Sequence, residues 1–369
     1  MKRRSLHKNK NPVWRTLRAA FLLTLAVFFL PAAVFGGDTR GGTMTEPEQV
    51  VSAEETELTA EETRPEEEAL SGDTSQEEQT QTKTVKTQSV TLKVKVGSKV
   101  KKMDLEEYLW GVVAAEMPAS FEEEALKAQA IAARTYTLYR METPSPNHKN
   151  ADICTDPGCC QAWITYDDRL KAWSDSTEKV FAKKITAAIE ETRGQVIYYE
   201  DKPIMAAFHA TSAGVTKSAE EVWGKDVAYL QAVKSPETEE QVPNYYSVVK
   251  VTTSKFKEVF EKKYPKAELG SKPKKWFGKV RYDEGGLPAS IVVGGLKVPT
   301  STLRTLFGLR SSSLTIECDG KNVTFYVTGY GHGVGMSQYG ADALAKKGKN
   351  AKAILQHYYT GVEIRSMFS

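Results

Sequence analysis

The chain has 369 residues, of which 40% are apolar and 26% are charged, and this composition excludes collagen, fibres and disorder throughout. Its length leaves room for one large domain or two of ordinary size. The formal net charge of +3 is too small to indicate nucleic-acid binding, and four cysteines are too few for a disulfide scaffold.

The charges are segregated along the chain. Residues 1–44 carry a net charge of +7, residues 45–81 carry −12, and the remaining residues carry +8. The basic start leads into an apolar run from Ala19 to Val34, and adjacent apolar residues extend it toward the roughly 20 needed to span a bilayer. The positive-inside rule then places residues 1–18 in the cytoplasm and the rest of the chain outside.

Two interpretations of this apolar segment remain open. An uncleaved transmembrane anchor over residues 19–37 is favoured, because AVFGG is a poor cleavage site, and a cleaved signal peptide is the alternative. Residues 38–88 are rich in Glu, Thr, Gln and Ser and predict a disordered acidic linker. Residues 89–369 are then a single extracytoplasmic domain of the α+β class, with helices early and late and a strand-rich stretch from about 195 to 330.

The first helix of this domain carries an acid on its apolar face. Residues 89–96 alternate as in a strand, and Asp104 with an acid three residues on is typical of a helix start. The buried face of that helix is predicted to contain Leu105, Leu109, Val112 and Val113. The next position on this face is Glu116, one turn before the helix-ending Pro118.

Burial and the negative end of the helix dipole both disfavour a charged carboxylate at Glu116. A carboxyl that stays protonated near neutral pH is what a general acid requires. The alternative is a structural carboxyl bonded to the backbone or to Arg134. A second helix, with a capping box predicted at residues 120–123, runs to about Arg140 and contains Gln129 and Arg134, which either orient Glu116 or are solvated.

A short cluster of metal-ligand residues follows the second helix. The spacing is H-x5-C-x4-C-C, and the residues are His148, Cys154, Cys159 and Cys160. Three thiols and an imidazole are the donors of a tetrahedral zinc site. Outside the cytoplasm a disulfide such as Cys154–Cys160 is equally compatible with the sequence. Cys318 lies in a strand pattern and is predicted to be a buried core thiol.

Two glycine-containing segments offer polar side chains. FHATSAG places His209 near Ser212, but G-x-S-x-G is absent, so polar groups of a turn explain it better than a hydrolase pair. GYGHGVGMSQYG (329–340) lacks the Gly-Lys-Ser/Thr ending of a phosphate loop. Its five glycines allow close approach of a ligand, and Gln338 and Tyr339 offer hydrogen bonds, so it fits either a groove for a polar polymer or a tight turn.

Six segments of the folded region form an ordered set of motifs: EEYLWGVVAAEMP, ALKAQAIAARTY, ADICTDPGCCQAW, FHATSAG, LRSSSL and GYGHGVGMSQYGA. In these segments and their order, the region of about residues 90–366 resembles the stage II sporulation protein D family. The resemblance implies a lytic transglycosylase that cleaves peptidoglycan strands stripped of their stem peptides during engulfment of the forespore. It implies stage II sporulation protein P, an amidase/endopeptidase, and stage II sporulation protein M as partners, at the sporulation septum or engulfing membrane.

The resemblance also implies roles for individual residues. The family's catalytic acid corresponds to Glu116. Some members bind zinc through His, two Cys six apart and a second His; His148, Cys154 and Cys160 match, while Cys159 replaces the second His. That favours a structural zinc ion over a disulfide. Candidate substrate-binding residues are Arg134, His209, Ser212, Gln338 and Tyr339.

A glycosidase that hydrolyses its substrate usually needs two carboxylates. A lytic transglycosylase needs only one acid, because the substrate itself supplies the nucleophile. No second acid is predicted on the helix face of Glu116.

Two other function classes stay open. One is a non-catalytic wall-binding activator of an amidase, since some relatives are described as amidase enhancers. The other is a Ser or Zn hydrolase that releases peptide or acyl groups.

Overall fold

The computed structural model describes residues 89–368, and their helices and strands form a mixed α+β fold, as predicted. The helices are α1 (Leu105–Glu116), α2 (Glu123–Glu142), α3 (Tyr166–Ala172), α4 (Glu178–Glu191), α5 (Ala219–Trp223), α6 (Thr253–Lys263), α7 (Thr300–Phe307), α8 (Gln338–Lys346) and α9 (Ala351–Tyr358). The strands are β1 (Thr91–Val96), β2 (Lys99–Asp104), β3 (Ile153–Cys154), β4 (Gln195–Tyr199), β5 (Lys202–Pro203), β6 (Phe208–His209), β7 (Tyr246–Thr252), β8 (Phe277–Tyr282), β9 (Pro288–Val293), β10 (Leu296–Pro299), β11 (Leu314–Cys318), β12 (Asn322–Thr328), β13 (Met336–Ser337) and β14 (Glu363–Ser366).

Helix α1 begins and ends where the sequence predicts. The Asp104 carboxylate accepts hydrogen bonds from the backbone N–H of Glu106 at 2.8 Å and of Glu107 at 3.4 Å, which satisfies donors left free at a helix start. The helix ends at Glu116 because Pro118 restricts the preceding residue, Met117, to an extended conformation. Glu116 is therefore the last helical residue.

The capping box predicted at residues 120–123 is wrong. Helix α2 begins at Glu123, and the cap residue Glu122 makes no side-chain hydrogen bond to the helix. Instead, the backbone N–H of Glu122 donates to Asp342 Oδ1 of α8 at 2.8 Å. A carboxylate distant in sequence therefore occupies the position where a local cap was expected, and it ties the start of α2 to the C-terminal helices.

The larger of the two hydrophobic cores within residues 89–368 is enclosed by helices α1, α2, α4, α8 and α9. The inner side of α2 is rich in alanine, so neighbouring helices approach it closely. The core contains the fully buried side chains of Leu109, Val113, Ile131, Ile185, Ile354 and Leu355, among others. This packing fixes α1 and α8 beside α2, and these helices carry the residues of the candidate site.

A buried ion pair crosses this core. The Arg134 side chain has no exposed surface, and its Nε and Nη2 atoms donate to the two carboxylate oxygens of Glu106 at 2.9 and 2.5 Å. Arg134 Nη1 also donates to the carbonyl oxygen of Gln195 at 3.2 Å. The pair links α1, α2 and the start of β4. Its charges are compensated by each other and by backbone carbonyl groups, as a buried pair requires.

A second, smaller core lies within the predicted strand-rich stretch. Two antiparallel three-stranded sheets, in the orders β11-β12-β7 and β10-β9-β8, contribute to it together with α6 and α7. Phe256 stacks on Phe307 with ring centroids 4.9 Å apart and on Phe260 at 5.4 Å. Cys318, predicted to be a buried core thiol, is only partly buried at its edge. The stretch is rich in strands as predicted, although it also contains three helices.

The predicted anchor at 19–37 and the acidic linker at 38–88 lie outside the described residues. Within residues 89–368, no helix combines the length and the apolar character needed to cross a bilayer.

Candidate functional site

Glu116 is held by residues from two other parts of the chain. Its Oε1 accepts a hydrogen bond from the backbone N–H of Ala162 at 2.6 Å. The side chain of Gln338, at the first position of α8, also hydrogen-bonds to the carboxyl group. Gln338 in turn donates through Nε2 to Oε1 of Gln129 at 3.3 Å. Gln129, which the sequence placed as a possible orienting residue, therefore acts on Glu116 through Gln338.

Burial raises the pKa of Glu116 from 4.5 to about 7, and the hydrogen bonds from Ala162 and Gln338 oppose that rise because they stabilise the charged form. No charged group of the described chain contributes to the shift. The carboxyl is thus poised to donate a proton near neutral pH and to take one back. This agrees with the general-acid chemistry that its place on the apolar face predicts.

The glycine-rich segment 329–340 positions Gln338 and Tyr339. Gly335 has φ +70°, and a side chain there would overlap the carbonyl oxygen of Ala207. This close approach lets β13 pair in parallel with β6, so that the segments FHATSAG and GYGHGVGMSQYG lie side by side. The Tyr339 ring packs edge-on against Phe121, with centroids 4.8 Å apart. One wall beside Glu116 is therefore built from the C-terminal loop.

The four predicted metal ligands lie together. One donor atom from each of His148, Cys154, Cys159 and Cys160 lies within 4.8 Å of every other, and all three cysteines are free thiols. His148 Nε2 is 3.2 Å from Cys160 Sγ, and the two adjacent sulfur atoms are 3.9 Å apart. Tetrahedral zinc with Zn–S bonds of about 2.3 Å places its ligand sulfurs about 3.8 Å apart. The arrangement suits a metal ion and contains no Cys154–Cys160 disulfide.

Neighbouring groups orient these ligands. His148 Nδ1 lies 3.0 Å from the carbonyl oxygen of Ala151, which favours a proton on Nδ1 and leaves Nε2 free to bind a metal. Asn147 Nδ2 donates to Cys159 Sγ at 3.6 Å, and the Ser145 hydroxyl lies 3.7 Å from the same sulfur. Cys159 is therefore surrounded as a ligand would be, although it differs from the His expected by resemblance.

The cluster lies on the segment that binds the acid. Cys160 precedes Ala162 by two residues, and the Ala162 N–H donates to Glu116. Between them, Gln161 is buried and donates to the Thr137 hydroxyl of α2 at 3.1 Å. A metal ion in the cluster would fix the conformation of this segment, and with it one of the two groups that orient the Glu116 carboxyl.

Comparison with known proteins identifies the same family as the sequence motifs. A family model described as SpoIID, stage II sporulation protein, matches residues 94–199. The stage II sporulation protein D of Bacillus amyloliquefaciens is 37% identical over 268 residues, 72% of this chain and 75% of the relative. The chain belongs to the stage II sporulation protein D family. The stage II sporulation protein D of Bacillus subtilis is 36% identical, again over 72% of this chain and 75% of the relative. An amidase enhancer of B. subtilis is 30% identical over 70% of this chain and 40% of its own length.

Within this family fold, one predicted substrate contact does not fit the geometry. Arg134 is fully buried in its ion pair with Glu106, and it makes no hydrogen bond to Glu116. Its guanidinium has no surface that a sugar could reach. The prediction that Arg134 binds substrate, and the alternative that it pairs with Glu116, are both wrong because the long side chain reaches across the core to α1.

His209 and Ser212 lie beside the C-terminal loop but are buried. His209 Nδ1 is 3.2 Å from the carbonyl oxygen of Val334, and burial lowers the pKa of His209 to about 4. The Ser212 hydroxyl accepts from the N–H of Gly214 at 3.1 Å and has no histidine partner, which disfavours a serine nucleophile. Among these predicted residues, Gln338 bonds to the acid, and Tyr339 follows it in the chain and packs on Phe121. Substrate binding by these residues remains a proposal.

Sequence patterns missed the buried carboxylate that joins these segments. Glu237 Oε1 accepts from the Ser337 hydroxyl at 2.6 Å and from the backbone N–H of Ser212 at 2.8 Å. It lies in a loop with no periodic pattern, so no local signal marks it. The backbone N–H of Ala162 was missed for the same reason, since any residue type can supply it.

Proposed function

We propose that this protein is a lytic transglycosylase that cleaves the bond between N-acetylmuramic acid and N-acetylglucosamine in peptidoglycan strands stripped of stem peptides. The observation that carries the proposal is the single carboxyl of Glu116, half-buried at the end of α1 with a pKa raised to about 7. Membership of a sporulation family agrees with a role in remodelling the cell wall.

The reaction needs only one carboxyl. Glu116 donates its proton to the glycosidic oxygen as the bond from that oxygen to the anomeric carbon of N-acetylmuramic acid breaks. The 6-hydroxyl of the same sugar then attacks the anomeric carbon, and its proton returns to Glu116. The new bond closes an anhydro ring, no water is consumed, and the acid is restored. The hydrogen bonds from Ala162 and Gln338 hold the carboxyl in place for both transfers.

A zinc ion would support this site without taking part in the reaction. His148, Cys154, Cys159 and Cys160 supply four donors, and a zinc ion with four protein ligands has no open position for water or substrate. Its role would be to stabilise the segment that ends at Ala162. The donor set favours zinc over calcium or magnesium, because thiolates are soft ligands.

The proposed cellular setting combines the apolar segment of the sequence with what the family resemblance implies. We propose that residues 19–37 anchor the protein in the membrane, with the N-terminus cytoplasmic and the domain outside, at the sporulation septum or engulfing membrane. The partners are glycan strands, the amidase stage II sporulation protein P and stage II sporulation protein M. Stripping of stem peptides by such an amidase would produce the substrate.

The test uses the full-length protein on stripped and peptide-bearing glycan strands, with mass spectrometry of the new ends. The wild type is expected to produce anhydro-muramic ends on stripped strands, and Glu116→Gln is expected to lose at least about 100-fold in rate. Glu107→Gln, an exposed acid on the same helix, is the matched control and should cleave normally. Cleavage by Glu116→Gln at the wild-type rate would refute the assignment.

The second candidate is a non-catalytic wall-binding activator of an amidase, and it is favoured by the relative named amidase enhancer. It predicts that wild type and Glu116→Gln bind strands equally, form no new ends, and stimulate release of stem peptides by a partner amidase. Reducing ends that are heavier than anhydro ends by the mass of one water molecule would instead indicate hydrolysis.

A further inference from the structure

Two arginines beside the C-terminal loop have no carboxylate partner among residues 89–368. Arg304 and Arg310 are both partly buried, and neither forms an ion pair with a described acid. Burial lowers the pKa of both side chains. By contrast, Arg134, Arg281 and Arg365 each pair with an acid at 2.5 to 2.9 Å.

Local contacts hold Arg310 in a defined position. Its guanidinium carbon lies 4.2 Å from the centroid of the Tyr330 ring, a stacked cation–π geometry. Its carbonyl oxygen accepts from Gly331 N–H at 2.9 Å and from Arg304 Nε at 3.3 Å. Arg310 Nε is buried and has no hydrogen-bond partner in the described structure. The guanidinium is thus fixed on one face, and no described carboxylate neutralises its charge.

One loop carries residues that interact with Arg310 and a residue that bonds to the acid. Tyr330 and Tyr339 lie at opposite ends of the glycine-rich segment, and the cation of Arg310 opposes the rise that burial causes in the pKa of Tyr339. Tyr339 packs on Phe121, and the preceding residue, Gln338, bonds to Glu116. One short segment therefore carries groups that contact the arginine and the acid.

A partly buried cation without a compensating charge is costly, and a bound anion would remove that cost. The planar guanidinium matches a carboxylate, with which it forms two parallel charge-assisted hydrogen bonds. Arg304, next to Arg310, adds a second positive charge to attract such an anion. The chemistry of this pair of arginines therefore favours a carboxylate as the bound anion.

We propose that Arg310 binds the free lactyl carboxylate of N-acetylmuramic acid and makes the site selective for stripped strands, an inference that rests on the proposed function. In a peptide-bearing strand this carboxyl is tied up in the amide bond to the stem peptide and carries no charge. Removal of the stem restores one negative charge to each muramic acid. Arg310 therefore distinguishes the two substrates by charge, and bulk of the stem is not the main reason for exclusion.

The test separates charge from bulk. Stripped strands are compared with the same strands after conversion of the lactyl carboxylates to methylamides, which are neutral but small. Equilibrium binding is measured in the Glu116→Gln background, so it does not depend on turnover. Free-acid strands are expected to bind at least tenfold more tightly than methylamide strands, and this ratio should fall as salt is added.

Arg310→Met in the same background should reduce the ratio to about one. Arg365→Met is the matched control, because Arg365 also stacks on a tyrosine, 4.6 Å from the Tyr198 ring centroid, and it should leave the ratio unchanged. Arg310→Gln provides a second variant, with thermal melting to check folding. The inference is overturned if the Glu116→Gln protein with Arg310 intact binds free-acid and methylamide strands equally. It is also overturned if the affinity ratio stays unchanged in both the Arg310→Met and the Arg310→Gln variants. Failure of the proposed function is seen separately, as absence of anhydro ends with wild type.

Discussion

The buried acid makes a quantitative prediction for stability. The carboxyl of Glu116 ionises at about pH 7 in the folded protein, against 4.5 for its ordinary value. Below pH 4.5 the group is neutral in both the folded and the unfolded chain. As the pH rises through 7, the folded state must bury a charge that the unfolded state exposes to water. Its contribution to stability is therefore present at low pH and is lost as the pH rises.

Replacement of Glu116 by glutamine removes this dependence, because an amide does not titrate. At about 1.4 kcal/mol per pKa unit, the rise from 4.5 to about 7 corresponds to ~3 kcal/mol. Relative to wild type, the variant should thus gain up to about 3 kcal/mol in free energy of unfolding between pH 4.5 and pH 8. With a urea dependence of about 3 kcal/mol per molar, the difference in midpoint should change by about 1 M.

Urea unfolding of the full-length protein, followed by tryptophan fluorescence at pH 4.5 and pH 8, measures this change. Glu107→Gln, which makes the same replacement at an exposed position of the same helix, serves as the control. If the difference between Glu116→Gln and wild type is the same at pH 4.5 and pH 8, the acid is not held in its neutral form. Glu116 would then lack the proton that a general acid must donate near neutral pH.

Three further predictions concern groups around the acid. Gln338→Leu removes a hydrogen bond that favours charged Glu116, so the pH at which activity falls should move above 7 while the rate drops; an unshifted pH–rate profile would contradict the contact. Cys160→Ser should reduce bound zinc, measured by mass spectrometry, from one ion per chain and lower the melting temperature, whereas Cys318→Ser should keep the ion. Glu106→Gln leaves a buried arginine charge uncompensated and should destabilise the fold by about 3–5 kcal/mol in urea unfolding; a loss under 1 kcal/mol would show that the pair is dispensable.

Local patterns predicted the parts of the site that depend on local physics. The cap at Asp104, the apolar face of α1 and Pro118 together placed Glu116 at the end of a helix, on the side that packs inward. The spacing of the histidine and cysteines placed four ligands within one short segment, although it could not distinguish a metal cluster from a disulfide.

Tertiary contacts decided what these patterns could not. Arg134 appeared available because a long polar side chain on an alanine-rich helix carries no local sign of its partner, and Glu106 lies 28 residues earlier. The cap of α2 comes from Asp342, 220 residues away. The backbone donor of Ala162 leaves no trace in residue type. Such groups are set by packing between distant segments, so a periodicity argument cannot find them.

The wide separation of the groups around Glu116 has a consequence for the timing of activity. Ala162 and Gln338 follow the acid by 46 and 222 residues along the chain. At about 5–20 residues per second, synthesis of Gln338 follows that of Glu116 by roughly 10–45 s. During that interval the nascent protein has the acid but lacks the group that orients it. The Glu116 carboxyl is therefore oriented by both groups only after α8 has been synthesised and has packed beside α2.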